Sequence, residues 1–212
     1  MSQLNYECQE AISGLNVPET VTVVGTGAYG AWVAYFAALS GVNRIVLINP
    51  GNEENDGKDG IHDREVVVGP YDYNHLGGDK TTALKELIAR MRPSAEVVNY
   101  IQKFNPEEDA DKLEGVVFAG VSGLGVYTGI FEAAANKGLA CYGGGYDGLK
   151  WGSFSEVPSE FEISPNLPVW NGSAAMSALT SIYSAFAEPG NFYGSTSAIY
   201  NGAPGGLVIV DI

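Results

Sequence analysis

The stretch Thr22 to Gly30, TVVGTGAYG, constrains this chain more than any other. The β-branched run Val21 to Val24 favours a strand, Gly25, Gly27 and Gly30 follow at GxGxxG spacing, and Ala31 to Leu39 is a series of helix formers. Strand, tight turn and helix in that order leave the helix N-terminus facing the turn. Glycine lets backbone approach a ligand there, and unpaired amides with the positive end of the helix dipole attract phosphate without a charged side chain. A glycine-rich turn also forms where strand and helix merely pack closely, so the motif alone leaves a structural turn open. Its context favours a nucleotide, because Arg44 to Ile48 (RIVLI) completes a β-α-β unit.

Composition bounds what such a turn can serve. With 212 residues, 45% of them hydrophobic, the chain can bury one sizeable α/β core, and a single nucleotide-binding domain over residues 1–212 is expected. A formal net charge of -14 argues against non-specific nucleic-acid binding, which needs clustered Lys and Arg to displace counterions. Cys8 and Cys141 have no CxxC pairing, so neither a disulfide framework nor a cysteine-based structural zinc site is expected. The opening MSQLNYECQE has no basic region followed by an apolar run, and no stretch reaches the roughly eighteen apolar residues of a membrane span. A soluble, cytoplasmic protein without membrane contact is the simplest expectation.

In chain order, Tyr6 to Leu15 can form a short helix before Pro18, and Val21 to Val24 is the first strand. The helix after the turn, AWVAYFAAL, is apolar on nearly every face, which predicts burial between a sheet and a further layer. Gly41 is placed to close it in the left-handed conformation, and Val42 to Ile48 makes the second strand. Pro50 to Gly60, PGNEENDGKDG, is a loop, open to a functional or a plainly solvated role. His62 to Val68 fits a strand or a helical turn. Gly78 to Arg92 is amphipathic, with Ala83, Leu84, Leu87, Ile88 and Met91 on one side and Lys85, Glu86 and Arg90 on the other. Lys80 falls in its first turn, where the dipole disfavours a cation by roughly 0.3 to 1 kcal/mol, so an anionic partner is expected, either a ligand or the adjacent Asp79.

Glu96 to Ile101 and Gly115 to Ala119 read as strands three and four, Gly125 to Asn136 as a crossover helix, and Leu139 to Gly143 as strand five. Cys141 in that strand is expected to be a buried, inert thiol. Lys150 to Val157 is a further strand, Asn171 is placed to cap a helix over Gly172 to Ala187, and Gly202 to Ile212 is a last apolar strand. The fold class is therefore α/β: a Rossmann-like, mostly parallel sheet with helices on both faces, followed by shorter antiparallel strands.

The order of four features carries a family likeness: the glycine loop, Asn49 at the tip of strand two, Arg64 in IHDRE, and Lys80 in LGGDKTTALKELIARMRPSAEV. It resembles the ThiF/MoeB superfamily, the adenylating fold shared with ubiquitin-activating enzymes, over about Val21 to Ala187. In that family a GxGGxG loop precedes an acid at the end of strand two, an NxxR(Q) segment, a lysine at a helix start, and an Asp after the fourth strand. GLACYGGGYDGLKWGSF and GSAAMSALTSIYSAFA are similar to the family's strand, glycine bend and strand, and to its small-residue helix. The resemblance implies a reaction that joins a carboxylate to AMP, through positioning and charge neutralisation. Gly25, Gly27 and Gly30 would cradle phosphate or ribose, Asn49 would hydrogen-bond the ribose, and Arg64 and Lys80 would be the catalytic cations. ATP with Mg2+, a small ubiquitin-like or sulfur-carrier protein, and a homodimer are implied on the same ground.

The sequence also departs from the family pattern. Asn49 replaces the acid, Ile61 stands where the Asn belongs, and Ser122 aligns with the magnesium-associated Asp, where a hydroxyl is a poor metal ligand. Of the family's N-terminal RYxRQ only Tyr6 and Gln9 remain, and the zinc cysteines are absent. Losing about 3 to 5 kcal/mol of metal stabilisation would slow the reaction by on the order of 10² to 10⁴. Three functions stay open. One is an ATP-dependent adenylyltransferase of a protein C-terminal carboxylate, the second a non-catalytic scaffold that keeps the fold, and the third a nicotinamide-dependent oxidoreductase supported by the glycine spacing.

Overall fold

A computed structural model of the chain describes residues 15–51, 60–122, 124–147, 150–157, 171–187 and 192–195. The elements are β1 (Thr20–Val24), α1 (Ala28–Ser40), β2 (Arg44–Asn49), α2 (Asp63–Val68), α3 (Lys80–Met91), β3 (Glu96–Ile101), β4 (Val116–Ala119), α4 (Leu124–Asn136), β5 (Cys141–Asp147), β6 (Lys150–Phe154), α5 (Asn171–Phe186) and β7 (Phe192–Ser195). The strands form one sheet in the order β3-β2-β1-β4-β5-β6-β7. β3 through β5 run parallel, and β6 and β7 add on antiparallel to their neighbours.

Alternation along the strands divides the core into two layers. Val21, Val23, Ile45, Leu47 and Phe118 pack in one cluster with residues of α1, α3 and α5, while Val24, Val46, Ile48, Val117 and Ala119 pack in another with α4. The register then fixes where a ligand can sit. Val24 pairs with Ile48 on one side and Ala119 on the other, so β1, β2 and β4 end level and their following loops lie side by side. Chain order also reverses direction between β1 and β4, the switch point at which open α/β sheets form a ligand crevice.

The apolar character of α1 is met only in part within the chain, with Trp32, Tyr35 and Phe36 half-buried and Leu39 exposed. Its buried residues pack on the sheet and on α5, and Gly41 closes it at φ 105°, in the left-handed conformation expected. Helix α5 approaches through small residues, with Ser173, Ala174, Ser177, Ala178, Ser181 and Ser184 all fully buried. Tyr29 donates from its hydroxyl to Ser181 Oγ at 2.8 Å, Ser181 Oγ lies 3.0 Å from Ser153 Oγ, and Ser177 Oγ donates to Gly152 O at 2.6 Å. The glycine run of β5 makes room for this, since a Cβ at Gly144 would lie 2.1 Å from the Tyr29 ring.

Several boundaries move. The ambiguous segment His62 to Val68 is the short helix α2, because Glu65 Oε2 accepts the His62 N–H at 3.0 Å and closes a capping box. Asn171 is the first residue of α5 instead of a cap preceding it. β7, only four residues long, carries too little pattern to be read from sequence. Cys141 is buried and free, and burial pushes its thiol up to about 12, as suits an inert group. Among the described residues no helix is long and apolar enough to cross a membrane. The expected helix from Tyr6, the last strand Gly202 to Ile212 and most of the Pro50 to Gly60 loop lie outside the described residues.

Candidate nucleotide site

The three motif glycines divide by what surrounds them. Gly25 has φ 88°, and a Cβ there would lie 2.5 Å from Gly120 O in the loop after β4. A Cβ at Gly30 would lie 1.8 Å from Gly25 O. Those two are required by the packing of turn, helix and neighbouring loop. Gly27 is not: its φ is -67°, and a Cβ there would meet nothing within 4 Å among the described residues. Close packing therefore explains two of the three glycines, while the third borders open space, as expected where backbone approaches a phosphate. Gly27 caps α1 without a side-chain hydrogen bond, and the helical ladder starts with Ala31 N–H donating to Gly27 O. The amides of Ala28, Tyr29 and Gly30 thus have no intrahelical acceptor.

Thr26, between the first two glycines, is the point on which the site converges. Its N–H donates to Asn49 Oδ1 at 2.9 Å, and its carbonyl accepts from the Tyr71 hydroxyl at 2.7 Å. The same hydroxyl lies 3.5 Å from the carbonyl of Lys80. Loop, strand tip and the start of α3 are thereby drawn together. Asn49 also donates through Nδ2 to Pro50 O at 2.9 Å, which leaves it one amide hydrogen and one lone pair. Asp in its place could accept from Thr26 but could not hold Pro50. Tyr71 was not singled out by sequence, since nothing in VVVGPYDYNHL distinguishes it from the exposed Tyr73. Burial pushes its phenol well above the ordinary value, so it stays a neutral donor.

Lys80 is buried at the first position of α3, and the anion facing it is Glu65 of α2, Oε1 to Nζ 3.8 Å, in addition to any ligand. The expectation that the adjacent Asp79 fills this place is replaced by a carboxylate fifteen positions away, because the turn between α2 and α3 folds back. Ile61 N–H donates to Gly78 O, Gly77 N–H donates to Ile61 O, and Gly60 bridges Asp79. Ile61 itself is buried in the main core and offers no polar group. The hydroxyls of Thr26 and Thr81 are buried without a hydrogen-bond partner, one in the loop and one in the first turn of α3. Arg64 is not drawn into this cluster: it is exposed on α2, and no hydrogen bond or ion pair holds its guanidinium among the described residues. Ser122 is exposed two residues beyond Gly120, at the same edge of the sheet. Ser122 supplies only a hydroxyl, a poor ligand for a divalent cation, and no group of three His, Cys, Asp or Glu gathers among the described residues.

No family model and no curated protein matches the sequence. Solved structures do match. E. coli MccB with ATP superposes with a TM-score of 0.66 at 16% identity, covering 84% of this chain and 61% of MccB. PaaA gives a TM-score of 0.64 at 15% identity, covering 84% of this chain and 60% of PaaA. E. coli tRNA N6-threonylcarbamoyladenosine dehydratase, TcdA, in complex with ATP gives 0.65 at 14% identity, covering 79% and 84%. The fold is that of the ThiF/MoeB adenylating enzymes. The chain spans about three fifths of MccB and PaaA, 61% and 60% of their lengths, and at these identities the likeness is one of ThiF/MoeB architecture. Within that fold the glycine loop, Asn49 and Lys80 lie together at the carboxyl edge of the sheet.

Proposed function

We propose that this chain binds ATP at the Gly25–Gly30 loop, with the polyphosphate between the first turn of α1 and Lys80. The convergence on Thr26 carries this reading, because this one residue ties the loop to Asn49 through its N–H and to Tyr71 through its carbonyl, and the Tyr71 hydroxyl lies 3.5 Å from the Lys80 carbonyl at the start of α3. The amides at the α1 N-terminus supply donors, the Lys80 ammonium supplies charge, and the Thr26 and Thr81 hydroxyls, without a hydrogen-bond partner among the described residues, are further donors, one in the loop and one in the first turn of α3. Arg64, exposed on α2, is a proposed second cation for the phosphates. MccB and TcdA have both been crystallised with ATP, which supports the choice of nucleotide.

The reaction such an arrangement serves is attack of a carboxylate oxygen on the α-phosphorus, releasing pyrophosphate and leaving an acyl-adenylate. The C-terminus of a small protein or peptide is the proposed carboxylate, in keeping with MccB crystallised with MccA, and a second copy of the chain is a proposed partner. A non-catalytic nucleotide-binding scaffold is the second reading, favoured by Ser122 and by the ion pair that occupies Lys80. Two measurements separate them. Exchange of labelled pyrophosphate into ATP at high protein concentration identifies the enzyme, and ATP binding without exchange identifies the scaffold. Calorimetric preference for NAD over ATP contradicts both.

A further inference from the structure

We propose that Tyr71 is a positioning residue for this site: its hydroxyl fixes the glycine loop against the start of α3, so that the loop amides and the Lys80 ammonium address one phosphate chain. This rests on ATP being the ligand. Thr26 is held from two directions, its N–H by Asn49 on β2 and its carbonyl by Tyr71, so the peptide planes on either side of it cannot rotate freely. Beyond the Ala31 N–H that its carbonyl accepts, little orients the next residue, since Gly27 has no side chain, no side-chain capping bond and, among the described residues, no neighbour within 4 Å of a Cβ. The single phenolic proton goes to Thr26 O, and the Lys80 carbonyl at 3.5 Å sits within contact of the same oxygen. Loop and lysine backbone therefore share one reference atom. The ring is anchored independently, buried in the main core with Ile61, Ala83 and Leu84. Tyr71→Phe should keep that packing and remove only the hydroxyl.

A purely structural hydroxyl would show in thermal stability alone, whereas a positioning one shows in the phosphate-dependent part of affinity. The full chain is titrated calorimetrically with Mg-ATP and with adenosine. Tyr71→Phe is expected to weaken ATP about fivefold to tenfold while adenosine changes less than about twofold. Ser177→Ala, which deletes an equally buried hydrogen bond beneath α5, is expected to lower the melting temperature and leave the ATP-to-adenosine ratio unchanged. In a Lys80→Ala background, Tyr71→Phe is expected to add little, because the two act through one geometry. Incorporation of 4-aminophenylalanine at position 71, which keeps a donor there, should restore the wild-type ratio and serves also if Tyr71→Phe does not fold. An unchanged ratio in Tyr71→Phe, equal weakening of both ligands, multiplying losses in the double variant, or failure of the amino analogue to hold the ratio each overturns the assignment. Wild-type protein that binds no ATP instead removes the reading on which it rests.

Discussion

Lys80 Nζ stands 3.8 Å from Glu65 Oε1, with the two side chains only 10% and 17% exposed. On the proposed reading, a phosphate arriving at Lys80 would meet an ammonium already facing a carboxylate. Glu65→Gln removes the competing charge and keeps an acceptor for the His62 N–H. It leaves a buried cation without its counter-ion, which destabilises the ligand-free protein. The expected outcome is a lower melting temperature without nucleotide, and ATP bound about fivefold more tightly. Thermal melts with and without ATP, together with calorimetry, check both.

The divided roles of the motif glycines are separable by substitution. Gly27→Ala places a Cβ in open space at φ -67°, so the stability cost should stay near that of a weaker N-cap, about 1 kcal/mol. Gly30→Ala forces a Cβ to 1.8 Å from Gly25 O and should cost more than about 3 kcal/mol. ATP affinity reverses the order among folded variants: Gly27→Ala should weaken binding about tenfold, because the methyl group intrudes where phosphate approaches backbone. Denaturant unfolding and calorimetry on the same preparations test this.

The parts of this molecule that repeat a period were open to reading from sequence. β1, the turn and α1 are legible because Gly25 and Gly30 punctuate a change from strand to helix, and α3 is legible because Ala83, Leu84 and Ile88 recur at helical spacing. The pairings that assemble the site are not periodic. Glu65 reaches Lys80, and Tyr71 reaches Thr26, only because the segment between α2 and α3 doubles back through the Ile61, Gly77 and Gly78 backbone bonds. Local sequence carries no mark of that return. Asn49 was identifiable by place, at the end of β2, while its hold on Thr26 follows from the level ends of β1 and β2.

Alkaline pH should unfold this protein through its buried acids. Burial raises the Cys141 thiol to about 12 and pushes the Tyr29, Tyr71 and Tyr127 phenols well up. The unfolded chain releases these protons from about pH 8.5 for Cys and about pH 10 for Tyr, while the folded chain retains them. Above those values the folded state binds more protons, so stability falls as pH rises, by up to about 1.4 kcal/mol per pH unit for each group. Below about pH 8.5 the four contribute no slope. Denaturant midpoints at pH 8, 9.5 and 10.5 should decline progressively, and tyrosinate absorbance for the buried phenols should appear with unfolding instead of ahead of it.

Calorimetric titration of Mg-ATP into the wild-type chain and into Lys80→Ala tests the nucleotide site most directly. Saturable binding by the wild type, weakened about tenfold or more in a folded Lys80→Ala variant, is the predicted result. No binding by the wild type, or equal affinity in the two, would contradict it.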